Sequence, residues 1–85
     1  MAYHNATFSN LITGHDDSDI EVEVEFTSER HSDDSGQWVE VDYVTVTGGT
    51  DDKGSALSAD DVDSMIVKAG KWEALRERCQ EYLDD

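Results

Sequence analysis

The sequence predicts an α+β fold: a small antiparallel sheet of two to three strands, covered by a C-terminal helix or a kinked helix pair over residues 58–83. Three observations predict it. Apolar residues and acids alternate from residue 20, a second run rich in Val, Tyr and Thr ends at residue 47, and an apolar stripe of helical spacing follows. The central hairpin is expected over residues 20–47, and 85 residues allow a single acidic α+β domain, 1–85.

The first strand of the hairpin is expected over Ile20–Glu29, because its residues alternate in character. Its apolar members are Ile20, Val22, Val24 and Phe26, and the acids between them are Glu21, Glu23 and Glu25. Successive side chains of a strand point to opposite faces of the sheet. One face of this strand is therefore expected to be buried and the other to be acidic.

The second strand is expected over Trp38–Thr47, after a polar loop at residues 31–36. Its valines change parity halfway along, from Val39 and Val41 to Val44 and Val46. The change indicates either a β-bulge near Tyr43-Val44 or a strand whose two faces are covered in turn.

The two ends of the sheet are less regular in sequence. Residues 1–12 carry scattered apolar side chains and are interpreted as an N-terminal strand, although the same spacing suits a short helix. The glycine-rich residues 48–54 are expected to form a connector that breaks the sheet pattern.

A helix is expected to begin after Ser58, which suits the N-cap position, with Asp61 three residues further on. An apolar stripe then runs from Val62 to Leu83 and includes Trp72, which is expected to lie in the core. Gly70 interrupts the stripe, so we expect either a kink or two consecutive helices there.

The charge of the chain is its most unusual property, with 21 acidic residues against six lysines and arginines and a net charge of −15. This balance excludes direct nucleic-acid binding through a basic patch. The N-terminus lacks the pattern of a secretory signal, no apolar run suits a membrane span, and Cys79 is the single cysteine. These features predict a cytoplasmic protein. The charge itself is open to two interpretations, a functional acidic surface or an adaptation for solubility or high salt.

The sequence offers no arrangement typical of an active site. Residues 17–28 begin like a calcium loop but lack its glycine and its final glutamate, and the histidines and Cys79 lack zinc-ligand spacing. Residues 48–54 lack the Gly-Lys-Ser/Thr end of a phosphate-binding loop. We therefore expect no enzymatic activity, no metal and no cofactor.

The placed acids are instead expected to form a partner-binding surface. Alternate glutamates on one strand face lie roughly 6.5–7 Å apart, which is broadly similar to the spacing of successive phosphates along a nucleic-acid strand. The predicted contact row is Glu21, Glu23, Glu25, Glu40 and Asp42, and the predicted rim is Asp16, Asp17, Asp19, Asp33 and Asp34. Trp38 is expected either to anchor the partner or to cap the apolar layer.

The chain resembles, in size and acidity, the small phage-encoded inhibitors that imitate DNA, such as the anti-restriction protein Ocr and some anti-CRISPR proteins. Residues Met1–Leu11 look like the start of Ocr, and Glu81–Asp85 looks like its acidic tail. The resemblance does not extend to the fold, because Ocr is longer and wholly helical. It implies a non-catalytic inhibitor in the host cytoplasm that occupies the nucleic-acid site of a basic host protein, such as a nuclease.

An assembly role is the alternative from a different class. In that hypothesis the stripe from Val62 to Leu83 pairs with its copy in a homodimer, and the charge serves solubility only.

Overall fold

The computed structural model of the chain describes residues 2–14 and 17–84. The elements are β1 (Ala2–Thr13), β2 (Asp19–Asp33), β3 (Gly36–Thr50), β4 (Ala56–Leu57), α1 (Ala59–Ala69) and α2 (Trp72–Asp84). The strands form one antiparallel sheet in the order β1-β2-β3-β4. The predicted α+β class is confirmed, with four strands where two or three were expected and with the N-terminal segment as a strand.

The central hairpin is longer than predicted, because the ladder continues to the pair Asp33 and Gly36. The predicted loop at residues 31–36 was therefore wrong, and the turn contains only Asp34 and Ser35. Two contacts stabilise this end: His31 stacks on Trp38 across the strands at 5.6 Å, and the Ser35 amide donates to Asp33 Oδ1 at 2.7 Å. The connector predicted at residues 48–54 was also placed too early, since β3 runs to Thr50.

The predicted bulge is confirmed and lies at Asp42. Thr27 pairs with Tyr43 whereas Ser28 pairs with Val41, so Asp42 is an extra residue of β3, and Thr47 is a second one between Val46 and Gly48. One extra residue reverses the side-chain alternation as far as the next bulge. As a result, the valines of the strand all face the same side as the buried residues of β2: Val39, Val41, Val44 and Val46.

Side chains of α2 hold the backbone of β3 next to the bulge. Gln80 Nε2 donates to the Val39 carbonyl at 2.7 Å, and Gln80 Oε1 accepts from the Val41 amide at 3.1 Å. Arg76 Nη2 donates to the Val41 carbonyl at 3.2 Å. These bonds satisfy backbone groups of β3 that no neighbouring strand pairs, so α2 covers this part of the sheet edge.

The helices cover one face of the sheet. They bury Val62, Ile66, Leu75 and Cys79 against Ile20, Val22, Val24 and Phe26 of β2. The predicted apolar stripe thus packs largely on the sheet of its own chain, and Trp72 lies half-buried against the same core. Within the described ranges, no helix is long and apolar enough to cross a membrane.

Both ends of α1 follow from the sequence. Ser58 Oγ accepts from the Asp61 amide at 3.2 Å, which confirms the predicted N-cap. Gly70 ends α1 in the left-handed conformation (φ 66°), and the amide of Lys71 donates to the Ile66 carbonyl. Glycine adopts this conformation readily, so Gly70 separates two helices instead of kinking one.

Gly49 lets α1 approach the sheet closely. A Cβ at this position would lie 2.7 Å from the Glu21 carbonyl oxygen and 2.8 Å from Val62 Cγ2. Gly49→Ala is therefore expected to reduce the free energy of unfolding by about 1–3 kcal/mol, a typical overpacking effect, measured by urea denaturation. Gly48→Ala is the milder comparison, because its Cβ would lie 3.3 Å from the nearest atom, the Leu57 carbonyl oxygen. Equal effects of the two variants would contradict this explanation.

The Cys79 thiol is buried in the core, and burial raises its pKa from 9.0 to about 11, with a smaller lowering by Arg76. The thiolate is the reactive form of cysteine. Iodoacetamide at pH 8 is therefore expected to leave the folded protein unmodified and to alkylate Cys79 fully in urea, as read by mass spectrometry. Rapid alkylation of the folded protein would show that the thiol is accessible.

The same shift predicts a pH dependence of stability. The folded state holds the thiol proton more tightly than the unfolded state, so this contribution is complete below about pH 9 and is lost as the pH rises to about 11. The free energy of unfolding is expected to fall between these values more steeply in the parent than in Cys79→Ala. Parallel pH profiles would contradict the shift.

Candidate acidic binding face

The sheet face away from the helices is exposed and acidic. Glu25 pairs with Thr45, Thr27 with Tyr43, and Glu29 with Glu40, so these side chains share one side of the sheet, opposite the buried residues of β2. We call this surface the open face. Its carboxylates are Glu21, Glu23, Glu25, Glu29, Glu40 and Asp42.

The structure brings the predicted contact row together. Glu21, Glu23 and Glu25 alternate with buried apolar residues of β2, as the sequence pattern requires. Glu40 lies directly opposite Glu29 on the neighbouring strand. Asp42 shares the parity of Glu40 and lines the same cleft as Glu25. The bulge adds Tyr43 to this face, which parity alone did not predict.

Glu29 belongs to this face although it was not among the predicted contact residues. The signal was present, because residues 21, 23, 25, 27 and 29 have the same parity in an unbroken strand. Because the strand was predicted to end at Glu29, this residue was not assigned to the contact row. In the longer β2 it lies well inside the strand.

The predicted rim aspartates lie at opposite ends of the sheet. Asp33 and Asp34 are exposed at the hairpin turn, whereas Asp17 and Asp19 precede or begin β2. The first and last of the 15 residues of β2, Asp19 and Asp33, are 14 rises apart, or about 46 Å at ~3.3 Å per residue. These acids therefore lengthen the acidic surface along the sheet and do not surround the row. Asp16 lies outside the described residues.

Two of the rim aspartates also accept hydrogen bonds from backbone amides. Asp19 Oδ1 accepts from the Asn10 amide at 2.7 Å. Asn10 has a positive φ of 61° and lies where β1 changes register between Phe8 and Ile12. Asp33 has the comparable contact with Ser35 in the hairpin turn. Substitution of either carboxylate would thus alter a turn or a bulge as well as the charge.

The basic residues of the chain lie off the open face, although Arg76 reaches its edge and lines a cleft with Glu40. Arg30 faces the helical side beside Leu83, and Lys53 follows β3 in a loop. The others belong to the helical layer: Lys68, Lys71, Arg76 and Arg78. Arg76 binds the Val41 carbonyl, and Arg78 lies 5.3 Å from the ring centre of Phe8. In residues 2–14 and 17–84 no lysine or arginine forms an ion pair with a carboxylate.

Trp38 lies on the open face near the hairpin turn and is 41% exposed. Its indole Nε1 donates to Glu40 Oε1 at 3.0 Å, and its ring stacks on His31. His31 Nε2 lies 3.5 Å from Glu40 Oε2, so the histidine, the tryptophan and the glutamate form one exposed cluster. Trp38 therefore belongs to the acidic surface, with part of its ring left accessible.

In the described part of the chain, no group of three or more His, Cys, Asp or Glu side chains is arranged to hold a metal ion. His4 is engaged structurally: its Nε2 lies 2.9 Å from Ser28 Oγ and its ring stacks on Phe26 at 5.1 Å. The chemistry available on the open face is therefore that of carboxylates that no described lysine or arginine pairs with, next to exposed aromatic rings.

Comparison of the chain with protein-family models, with curated proteins and with solved structures finds no match.

Proposed function

We propose that the protein is a non-catalytic inhibitor that imitates DNA and occupies the nucleic-acid site of a basic host protein. One observation carries the proposal: six carboxylates share the open face, and the basic residues of the described chain lie elsewhere. A surface that served solubility alone would usually intersperse charges of both signs. The target that the proposal implies is a nuclease or another DNA-binding protein in the cytoplasm of the host cell.

The dimensions of the molecule support the same proposal. The principal axes extend over 50 × 20 × 19 Å, and 50 Å corresponds to about 15 base pairs at a rise of ~3.4 Å. Duplex DNA carries one charge per ~1.7 Å, or about 29 over this length, against a net charge of −15 here. The protein therefore carries about half the charge density of a duplex on a rod of similar length. Such a field steers basic partners and speeds their association at low salt.

The lack of basic partners for the acids supports binding over internal stabilisation. Asp19 and Asp33 accept backbone hydrogen bonds and Glu40 contacts Trp38 and His31, but within the described residues no carboxylate forms an ion pair with a lysine or an arginine. The acids repel one another, and that repulsion destabilises the compact state. Binding of a basic partner would relieve this repulsion, and the attraction between the partner and the acids would not have to compete with ion pairs to lysine or arginine within the described residues.

Affinity capture from a host lysate tests the proposal. The immobilised protein is expected to retain a nucleic-acid-binding protein, identified by mass spectrometry. Duplex DNA should compete for it, and raising the salt from about 50 to 200 mM should release it, since phosphate-like contacts are strongly salt-dependent. Retention of the partner in excess duplex DNA would overturn the proposal. Recovery of the protein's own copies alone would favour the assembly role.

A further inference from the structure

Two exposed tyrosines stand on either side of β2 on the open face. Tyr3 of β1 and Tyr43 of β3 both pair with Thr27, so the three side chains form a line across the sheet. The tyrosines are 71% and 68% exposed, the highest values among the large apolar side chains described. Adjacent strands are about 4.8 Å apart, so the two Cα atoms are separated by about 10 Å. That separation leaves room for a flat group between the rings.

A cleft of about 310 Å³ occupies this place, lined by Tyr3, Glu25, Thr27, Asp42, Tyr43 and Thr45. Its volume is at the lower end of the range for ligand pockets, about 300–1,000 Å³. Asp42 has the same parity as Glu40 and faces the cleft in any case, whereas the bulge brings Tyr43 and Thr45 onto the same face. The bulge therefore creates a site that a regular strand would lack.

The floor of the cleft contains an unsatisfied polar atom. Thr27 is only 8% exposed, and its Oγ1 is buried with no hydrogen-bond partner. Buried hydroxyls are normally hydrogen-bonded, because an unmade bond costs free energy. The hydroxyl is thus an acceptor and a donor that the chain itself leaves unused, at the centre of a cleft with two carboxylates.

We propose that this cleft binds the guanidinium group of an arginine side chain on the partner protein. The occupant must be cationic, because Glu25 and Asp42 line the cleft with no base beside them. It should also be planar, because tyrosine rings attract a cation over their faces. Guanidinium meets both conditions: its N–H groups can donate to Glu25 and Asp42 together and, once the side chains that cover Thr27 Oγ1 move apart, to that hydroxyl as well.

Arginine fits the cleft better than lysine for two reasons. The ammonium of lysine is a compact, strongly hydrated charge, whereas the guanidinium is weakly hydrated and stacks on aromatic faces. Arginine also supplies five N–H donors in a fixed plane, and the cleft offers more than one acceptor. The inference rests on the proposed function for the source of the arginine, since basic DNA-binding sites use this residue to contact phosphates and base edges.

Titration with capped tripeptides tests the cleft without any partner. Acetyl-Gly-Arg-Gly-amide is expected to shift the amide NMR signals of Thr27, Tyr43 and Thr45, and acetyl-Gly-Lys-Gly-amide to bind several-fold more weakly at the same ionic strength. Equal affinity for the two peptides would overturn the proposal. Shifts spread over the open face, or centred on Trp38, would overturn it as well.

Two variants address the aromatic and the polar parts of the cleft. The double variant Tyr3→Ala and Tyr43→Ala is expected to lose about tenfold in affinity for the arginine peptide. Thr27→Val should also weaken binding while the melting temperature stays the same or rises, since the hydroxyl has no partner to lose. A lower melting temperature of Thr27→Val would show that the hydroxyl is already satisfied in the free protein. Glu25→Gln should weaken binding of the arginine peptide several-fold because it removes a charged acceptor, whereas its matched control Glu81→Gln, an exposed acid of α2 away from the cleft, should leave the affinity unchanged.

The outcomes separate this proposal from the proposed function. If the arginine peptide binds in the cleft but no partner that DNA can displace is captured, the proposal of an arginine-binding cleft is supported and the proposal that the protein imitates DNA is refuted. If a partner is captured and the double tyrosine variant retains it with full affinity, the cleft proposal fails and the acidic face remains.

Discussion

Replacing Glu21, Glu23 and Glu25 with lysine is expected to weaken binding of the captured partner by at least about 100-fold at physiological salt. The three side chains project from the face of β2 that α1 and α2 leave uncovered. Each substitution removes an attraction to a basic surface and adds a repulsion in its place. Like charges brought together at an interface cost several kcal/mol, so the loss should appear mainly in faster dissociation and a shallower salt dependence, measured by surface plasmon resonance.

The matched control places the same charge change on the helical layer. Asp63 on α1 and Glu81 and Asp84 on α2 are exposed, and their replacement by lysine changes the net charge equally. This variant is expected to slow association modestly through the weaker overall field and to keep most of the affinity. Equal losses in the two triple variants would show that only bulk charge matters and that the open face has no special role. Retention of full affinity by the β2 variant would refute the imitation of DNA altogether.

Phe26→Ala is expected to reduce the free energy of unfolding by about 3–5 kcal/mol, because the substitution opens a cavity in the core. Phe26 is 1% exposed, stacks on His4 of β1 and meets Tyr82 of α2 edge-on at 5.7 Å. It thus joins the edge strand, the central strand and the last helix. Small domains have a total stability of only about 5–15 kcal/mol, so much of the variant should be unfolded at 37 °C.

Urea denaturation followed by circular dichroism measures this effect. Val67→Ala is the comparison, since Val67 is 58% exposed on α1 and its substitution should change stability by no more than about 0.5 kcal/mol. A Phe26→Ala effect as small as that of Val67→Ala would mean that the helical layer does not pack on this part of the sheet.

The elements of the fold were largely predictable because their signals are local. The alternation of Val22, Val24 and Phe26 with glutamates assigns β2 and both of its faces without any knowledge of the neighbouring strands. Ser58 before an acidic first turn marks the start of α1, and Gly70 marks its end, since capping depends on a few adjacent backbone groups. The acidic row follows from the same alternation. Glu21, Glu23 and Glu25 share one face of their strand whichever strands lie beside it.

The strand ends and the neighbouring contacts were not predictable in this way. The hairpin loop at residues 31–36 reads as a turn from its composition, yet the stacking of His31 on Trp38 and the backbone ladder extend both strands through it. Gly48 and Gly49 read as a connector, yet they lie in β3, where Gly49 gives α1 room to approach. At the hairpin, cross-strand contacts between near neighbours in sequence outweigh the turn preference, and at Gly49 the contacts that outweigh it, with Glu21 and Val62, are distant in sequence.

The sequence by itself therefore determined that β2 has one acidic face and one buried apolar face, and that the chain carries an excess of negative charge. Only the tertiary structure decided which side chains meet across the strands. The register places Tyr3 and Tyr43 on either side of Thr27, and the bulge brings Tyr43 onto the face that holds Asp42 and Glu25. The physical reason is that side-chain direction within a strand follows from the backbone alone, whereas register depends on pairing between segments. One extra residue in β3 changes the side-chain contacts as far as the next bulge.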